Sequence, residues 1–386
     1  DLDDLQSASE QLAAQLEQME GIEESKTSGY YNQGLYTLGY ANMKLKQYEN
    51  SIKIFSEFIA NSHYSKDKTF IDDATNRIAD NYFVLKSFKD AIVYYDKVIN
   101  AEAVDADYAM YQKGLSYGAL CKYQAKVDCL NLLMSRYPKS KYVMVSNFEI
   151  ANTFLLNDDQ EMALKFYNIF LHKYPKSSYA KEALLKVGVI NYNLSNEEAS
   201  LKALDKVLKN YPGTSESRNA LLTIKNIYVN QNRVDEYFKY VKQNTKLSIS
   251  TVEQDSITFY AAEARYMEAD CQAAIPAFEA YLDKFPNGLF TLTANYYLGD
   301  CQLRSGSMWK ALPYYEYVAK QPKSQYTEVA LLNVANITFS IKNYAKSNEY
   351  FNKLAETSEI DANILQAGVG IMRTWYLLEN YTNTIQ

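Results

Sequence analysis

The chain has 386 residues, of which 47% are hydrophobic and 22% charged, and its formal net charge is −6. This composition predicts a folded protein, and it disfavours a nucleic-acid or anionic-membrane partner because both need a basic face. No run of about 18 apolar residues is present, so we expect no membrane-spanning helix in this sequence.

The first predicted element is an amphipathic helix over residues 2–20, which ends at Gly21. We assign residues 1–29 to this N-terminal helix, which is either a cap or the remnant of a preceding repeat. Residues 30–386 are predicted to form an array of nine full helix pairs and a truncated tenth. Because the sequence begins without Met and stops inside the tenth pair, we expect a fragment or a processed form.

The array is predicted from small and aromatic residues that recur at a fixed spacing. A small residue, the first anchor, is followed twelve positions later by a second small residue and four further on by an aromatic, as at Gly299, Ala311 and Tyr315. This spacing indicates two closely packed helices, which need stacked copies to bury their apolar faces. Most steps between first anchors are 37 residues, and the anchors are Gly39, Ala79, Gly114, Ala151, Gly188, Lys225, Ala262, Gly299, Ala335 and Met372.

The turns between helix pairs are also uniform. They read "RYPKSKY" at 136–142, "KYPKSSYA" at 173–180, "NYPGTSES" at 210–217, "KFPNGLF" at 284–290 and "KQPKSQY" at 320–326. One polar stretch, residues 243–256, follows the least regular repeat and is predicted to be a hinge between two subarrays.

The anchors and the later prolines resemble those of the tetratricopeptide repeat (TPR) family. The resemblance implies an all-α, right-handed superhelix of antiparallel helix pairs, in which the first helix of each pair, helix A, lines the concave face. The uniform turns are similar to those of TPR proteins of Gram-negative envelopes, such as the periplasmic partner of the Tol–Pal system and the outer-membrane assembly lipoprotein BamD. That likeness implies a non-enzymatic, protein-binding role in the periplasm or at the outer membrane, with the cytoplasm as the alternative compartment.

The family's partner-binding groove includes positions five, nine and twelve of each repeat, with the first anchor at position eight. Aromatic and aliphatic side chains flanked by amides suit a protein or peptide ligand, although they could instead contact neighbouring repeats or a second chain. No repeat has Lys at position five, so the chaperone-binding carboxylate clamp of the family is not expected. The predicted groove residues are Phe148, Asn152, Leu155, Leu185, Val189, Tyr192, Leu222, Asn226, Phe259, Tyr266 and Tyr296.

The alternative to a scaffold is a structural or oligomerising module, whose groove is filled by the 2–20 helix or by a second copy. The oligomeric state stays open at this point. An enzyme is not expected, because His63 and His172 are the only histidines and no Gly-rich phosphate loop or nucleophile–base pair is present. No cofactor or metal site is predicted. Cys121 and Cys129 flank one turn and are either a disulfide or two buried small apolar residues.

Overall fold

The computed structural model of the chain describes residues 2–20, 29–61, 68–245 and 248–379. Within these ranges there are twenty α-helices and no β-strand. The helices are α1 (Leu2–Glu20), α2 (Gly29–Lys44), α3 (Tyr48–Ala60), α4 (Lys68–Val84), α5 (Phe88–Asn100), α6 (Ala106–Ala119), α7 (Tyr123–Arg136), α8 (Tyr142–Leu156), α9 (Gln160–Lys173), α10 (Ala180–Asn193), α11 (Glu197–Asn210), α12 (Ser215–Asn230), α13 (Val234–Asn244), α14 (Thr251–Met267), α15 (Cys271–Lys284), α16 (Thr291–Arg304), α17 (Met308–Ala319), α18 (Thr327–Ser340), α19 (Tyr344–Thr357) and α20 (Asp361–Leu377).

The helices alternate in the order that the anchors predict. Repeat one is α2 with α3, and each later even-numbered helix, helix A, pairs with the odd-numbered helix B after it, up to α18 with α19 as repeat nine. Short turns join the two helices of a pair, so each pair is an antiparallel hairpin. The predicted all-α fold of stacked helix pairs is therefore confirmed. α20 is helix A of the tenth pair, and the predicted start of its helix B lies at residues 380–386, outside the described residues.

The anchors lie where helix A meets helix B. A Cβ atom added at Gly39 would come within 2.7 Å of the Phe55 ring, and one added at Gly188 would come within 2.4 Å of Leu204. Where the second anchor is serine, its hydroxyl donates a hydrogen bond to the carbonyl of the first anchor, as from Ser51 to Gly39 at 2.8 Å. The small residues are thus required because the two helix backbones approach closely.

Every turn from helix A to helix B passes through one residue in the left-handed region. That residue lies seven positions after the first anchor, and only at Gly306 is it a glycine. In repeat one, the amide of Gln47 donates to the carbonyl of Asn42, which is the hydrogen bond of a Schellman C-cap. The left-handed residues are Lys46, Lys86, Cys121, Asp158, Ser195, Asn232, Ala269, Gly306, Lys342 and Glu379.

The N-terminal helix α1 packs against α2. Leu16 is buried beside Leu35 and Leu38, and Gly34 makes room for it, since a Cβ at Gly34 would lie 2.7 Å from Leu16. In repeat two, Ala74 and Ile78 make the equivalent contacts with helix B of repeat one. The α1 helix thus occupies the side of α2 where a preceding helix B would pack.

The chain divides into two compact units, of which unit one ends at Val207 and unit two begins at Leu208. The predicted hinge at 243–256 lies within unit two. It includes residues 246 and 247, which lie outside the described residues, so the hinge stays a prediction. None of the described helices combines the length and the apolar character that crossing a membrane requires.

The cysteine pairing differs from the one considered from the sequence. Cys121 is exposed, Cys129 is buried, and both are free thiols, so they do not form a disulfide. Cys129 instead donates to the carbonyl of Met110 and behaves as a small core residue. The disulfide joins Cys271 to Cys301, whose Cα atoms are 5.1 Å apart.

Candidate functional site

Two aromatic residues of the predicted groove are buried. Phe148 is 3% exposed and packs against Tyr179 at a ring-centre distance of 4.9 Å. Phe259 is 2% exposed and stacks on Phe290 at 4.4 Å. Both rings stabilise the contact between repeats, so the expectation that they face a partner is corrected.

The burial of these rings follows a rule that holds along the array. The second ring belongs to the residue nine positions before the next first anchor, near the end of the turn between repeats. Wherever position five of a repeat is aromatic, that residue is aromatic too, and the two rings contact each other. These pairs are Tyr36 with Phe70, Tyr111 with Tyr142, Phe148 with Tyr179, Phe259 with Phe290 and Tyr296 with Tyr326, with ring centres 4.3–5.1 Å apart. Where position five is not aromatic, the second residue is not aromatic either, as for Asn76 and Asp105, Leu185 and Glu216, Leu222 and Glu253, and Leu332 and Asn363.

The amide of Asn152 is also engaged within the protein. Its Oδ1 accepts a hydrogen bond from the hydroxyl of Tyr167, and its Nδ2 donates to Glu149 at 3.3 Å. Glu149 in turn pairs with the buried ammonium of Lys126 at 2.6 Å. Asn152 therefore stabilises repeat four, and its amide is not presented to a peptide backbone as the sequence suggested.

The other predicted residues of unit one keep part of their surface exposed. Leu155 of α8 and Leu185, Val189 and Tyr192 of α10 are each half-buried. These four apolar or aromatic side chains lie on two helices A and are partly accessible. This part of the predicted groove is therefore available as a contact surface.

Unit two presents the more exposed part of the prediction. On α12, Leu222 is 52% exposed and Asn226 is exposed as well. On α14 and α16, Tyr266 and Tyr296 are half-buried, and the structure brings them into one cluster with residues that the sequence prediction did not include.

We call this cluster the tyrosine–aspartate surface, and it consists of Tyr266, Tyr296, Tyr297, Asp300 and Arg304. The Tyr266 hydroxyl donates to Asp300 at 2.8 Å, and the Arg304 guanidinium pairs with the same carboxylate at 2.7 Å. The Tyr266 ring stacks on that of Tyr297 with ring centres 4.1 Å apart. The cluster thus joins helix A of repeat seven to helix A of repeat eight.

The charge state of this surface follows from its surroundings. Burial, followed by the hydrogen bond to Asp300, raises the pKa of Tyr266, so the hydroxyl stays protonated and acts as a donor. Arg304 is 53% exposed at its side chain and lies over the Tyr266 ring at 5.4 Å. The surface therefore offers partly exposed tyrosine rings beside an exposed guanidinium and a carboxylate, groups that bind peptide side chains and backbone.

Asp300 and Arg304 could have been found from the sequence. Asp300 is at position nine of repeat eight, and Arg304 is four residues later, on the same face of the helix. The predicted groove did not include them, because the sequence does not show which charged residues pair with a tyrosine on the preceding repeat.

A second tyrosine–carboxylate network lies in unit one and is mainly structural. The hydroxyls of Tyr36 and Tyr40 both donate to Asp73, and those of Tyr95 and Tyr108 both donate to Asp80. Burial raises the pKa of Tyr36 to about 12, which keeps that hydroxyl a donor. Arg77 lies between the two carboxylates and pairs with each. The network links the first three repeats by hydrogen bonds and ion pairs.

Among the residues that the structure describes, no three His, Cys, Asp or Glu side chains lie together in a way that would hold a metal ion.

Comparison with known proteins identifies the repeats. Family models described as tetratricopeptide repeat match residues 108–140, 146–177 and 182–214, and a further one matches residues 261–325, which include the tyrosine–aspartate surface. No curated protein matches the chain.

Solved structures with similar folds have low sequence identity to the chain. A tetratricopeptide repeat protein from Parabacteroides merdae is 13% identical, with 78% of this chain and 98% of that chain covered and a TM-score of 0.35. YrrB, described as a TPR protein with an unusual peptide-binding site, is 16% identical, with 53% and 96% covered and a TM-score of 0.39. A putative kinesin light chain from Podospora anserina with nearly identical TPR-like repeats is 11% identical, with 47% and 97% covered and a TM-score of 0.38. Residues 108–140, 146–177, 182–214 and 261–325 thus carry tetratricopeptide repeats, and helix pairs alternate in the same way through the other described residues of the array.

Proposed function

We propose that the chain is a non-enzymatic scaffold that binds a protein or peptide on the exposed faces of its helices A. The tyrosine–aspartate surface carries this proposal, because it combines accessible rings with an exposed guanidinium within the family-matched residues 261–325. Aromatic and arginine side chains dominate the energetics of protein interfaces. In unit one, the half-buried Leu155, Leu185, Val189 and Tyr192 are proposed as an additional contact surface.

A peptide-display selection on the purified chain tests this function. Peptides that bind the wild-type chain should lose about 2 kcal/mol or more of binding free energy when Tyr266 and Arg304 are both replaced by Ala, as expected for central interface residues. The matched control is Lys353→Ala, which removes an exposed cation paired with Glu349 on a helix B. Equal affinity for the double variant and the wild-type chain would place the binding site elsewhere.

The alternative in which the 2–20 helix fills the groove is less well supported, because α1 packs beside α2 through Leu16 and Gly34, where a preceding helix B would lie. We further propose a periplasmic or outer-membrane-associated location. The Cys271–Cys301 disulfide supports it, since disulfides persist in oxidising compartments and are rare in the cytosol. Finding the native protein in the cytosolic fraction, with both cysteines reduced, would contradict this location.

A further inference from the structure

The disulfide connects two successive repeats at one specific junction. Cys271 is the first residue of α15 in repeat seven, and Cys301 is a fully buried residue of α16 in repeat eight. Their Cα separation of 5.1 Å is within the range that a disulfide spans without movement of the backbone. The covalent link therefore fixes helix B of repeat seven against the next helix A.

No other junction of the array has this cysteine pair. The residues at the position of Cys271 in the other repeats are Tyr48, Phe88, Tyr123, Gln160, Glu197, Val234, Met308 and Tyr344. Those at the position of Cys301 are Ala41, Asn81, Ser116, Thr153, Ile190, Ile227, Ala264, Ile337 and Thr374. Since the fold forms without the pair at all of these positions, the cross-link is a feature of repeats seven and eight rather than of the repeat itself.

The disulfide and the tyrosine–aspartate surface share the same helices. Cys301 directly follows Asp300, and Cys271 begins the helix after the turn that follows Tyr266. Cys301 belongs to the core cluster of Phe259, Phe278 and Leu298, against which Cys271, Tyr266 and Tyr297 pack. A change at the cross-link therefore acts directly on the spacing of Tyr266 and Asp300.

We propose that the Cys271–Cys301 disulfide is a redox-dependent support that fixes the tyrosine–aspartate surface in its binding arrangement. The inference rests on the proposed function for its significance, but the structural coupling is independent of any partner. Reduction by a dithiol breaks the S–S bond, transfers two electrons and two protons to give two cysteine thiols, and converts the dithiol to its own disulfide. Repeats seven and eight then keep only their non-covalent contacts.

Hydrogen exchange of the full chain, followed by mass spectrometry, tests the proposal without a ligand. The chain is purified from an oxidising compartment and compared before and after treatment with dithiothreitol. Amides of residues 261–304 should exchange about 10-fold faster or more after reduction, because loss of a cross-link favours local opening. Amides of residues 146–177 in unit one are the internal reference and should not change.

Two variants control for other effects of the reductant. A Cys271→Ala, Cys301→Ala chain should show the fast exchange with and without dithiothreitol, whereas Cys121→Ala, which removes an exposed free thiol, should behave like the wild-type chain. The proposal is overturned if reduction leaves the exchange of residues 261–304 unchanged, or if alkylation of the oxidised chain labels all four cysteines. Because no peptide is present, neither result depends on whether the proposed binding function is correct.

Discussion

In each of repeats one to nine, one residue just after helix A has a left-handed backbone conformation, and eight of these nine residues carry a side chain. An L-residue with a Cβ atom pays roughly 1–2 kcal/mol for this conformation, and only glycine avoids that cost. The left-handed conformation is nevertheless kept at this position, because it allows the hydrogen bonds of the Schellman cap, which satisfy the last carbonyls of the helix.

Ala269 offers a direct measure of this strain, since it adopts a φ of 60° with the smallest side chain that has a Cβ. We expect Ala269→Gly to raise the free energy of unfolding by about 0.5–1 kcal/mol, the relief of strain being partly offset by the greater freedom of glycine in the unfolded chain. Urea unfolding of the purified chain measures the change. Gly306→Ala, at the equivalent position of repeat eight with a φ of 76°, is the control and should lower stability by a similar amount.

Between elements, the paired rings of position five and the following turn link one repeat to the next. Aromatic pairs in such contact contribute about 0.5–1.5 kcal/mol beyond the apolar area that they bury. The pairing explains why the turns between repeats are uniform where they end in an aromatic, as in "RYPKSKY" and "KFPNGLF". Where a turn ends in an aromatic, that ring covers the preceding repeat.

A double-mutant cycle at Phe259 and Phe290 tests this role. Phe259→Leu and Phe290→Glu reproduce the residues of the unpaired junction formed by Leu222 and Glu253 in the sequence. We expect the two single variants to lose stability separately and the double variant to lose less than their sum, with a coupling free energy of about 0.5–1.5 kcal/mol. Additive losses in thermal or urea unfolding would show that the two rings act independently.

The helix pairs could be predicted from the sequence because close helix contact restricts residue size, and that restriction repeats at Gly39, Gly188 and Gly299. The exposure of Phe148 could not be predicted from its position in the repeat alone, because the ring that covers it comes from a turn 31 residues later, at Tyr179. The disulfide was missed for the same reason, since its cysteines are 30 residues apart and only the packing of successive repeats brings them together.

For the whole molecule, the contacts described within each unit are mostly between neighbouring helices. Stability in such arrays is approximately a sum of the stabilities of single repeats and of the interfaces between neighbours. Damage to one repeat is therefore expected to affect its neighbours more than distant repeats.

Gly188→Leu tests the range over which damage spreads. The new side chain would collide with Leu204, which lies 2.4 Å from the position of a Cβ, and should destabilise repeat five by about 1–3 kcal/mol. Hydrogen exchange should become faster in α10 and α11 and stay unchanged in α16 to α19. Gly368→Leu is the matched control, since nothing lies within 4 Å of its Cβ position. Faster exchange throughout the chain after Gly188→Leu would mean that the array unfolds as one cooperative body.

The fixed length of the turn within each pair has a consequence for insertions. The first anchor is always seven residues before the left-handed residue, whereas the steps between first anchors range from 35, at Ala79 to Gly114, to 40, at Gly39 to Ala79. One added residue beside Ala269 would rotate the following helix by about 100° relative to its partner and turn Ala274 and Phe278 away from the core. The same addition at Gly213, which has a φ of 78° and no atom near its Cβ position, would enter a turn between repeats, where the chain already tolerates different lengths. Labels and affinity tags therefore belong on the edge of the array that carries the turns from helix B to helix A.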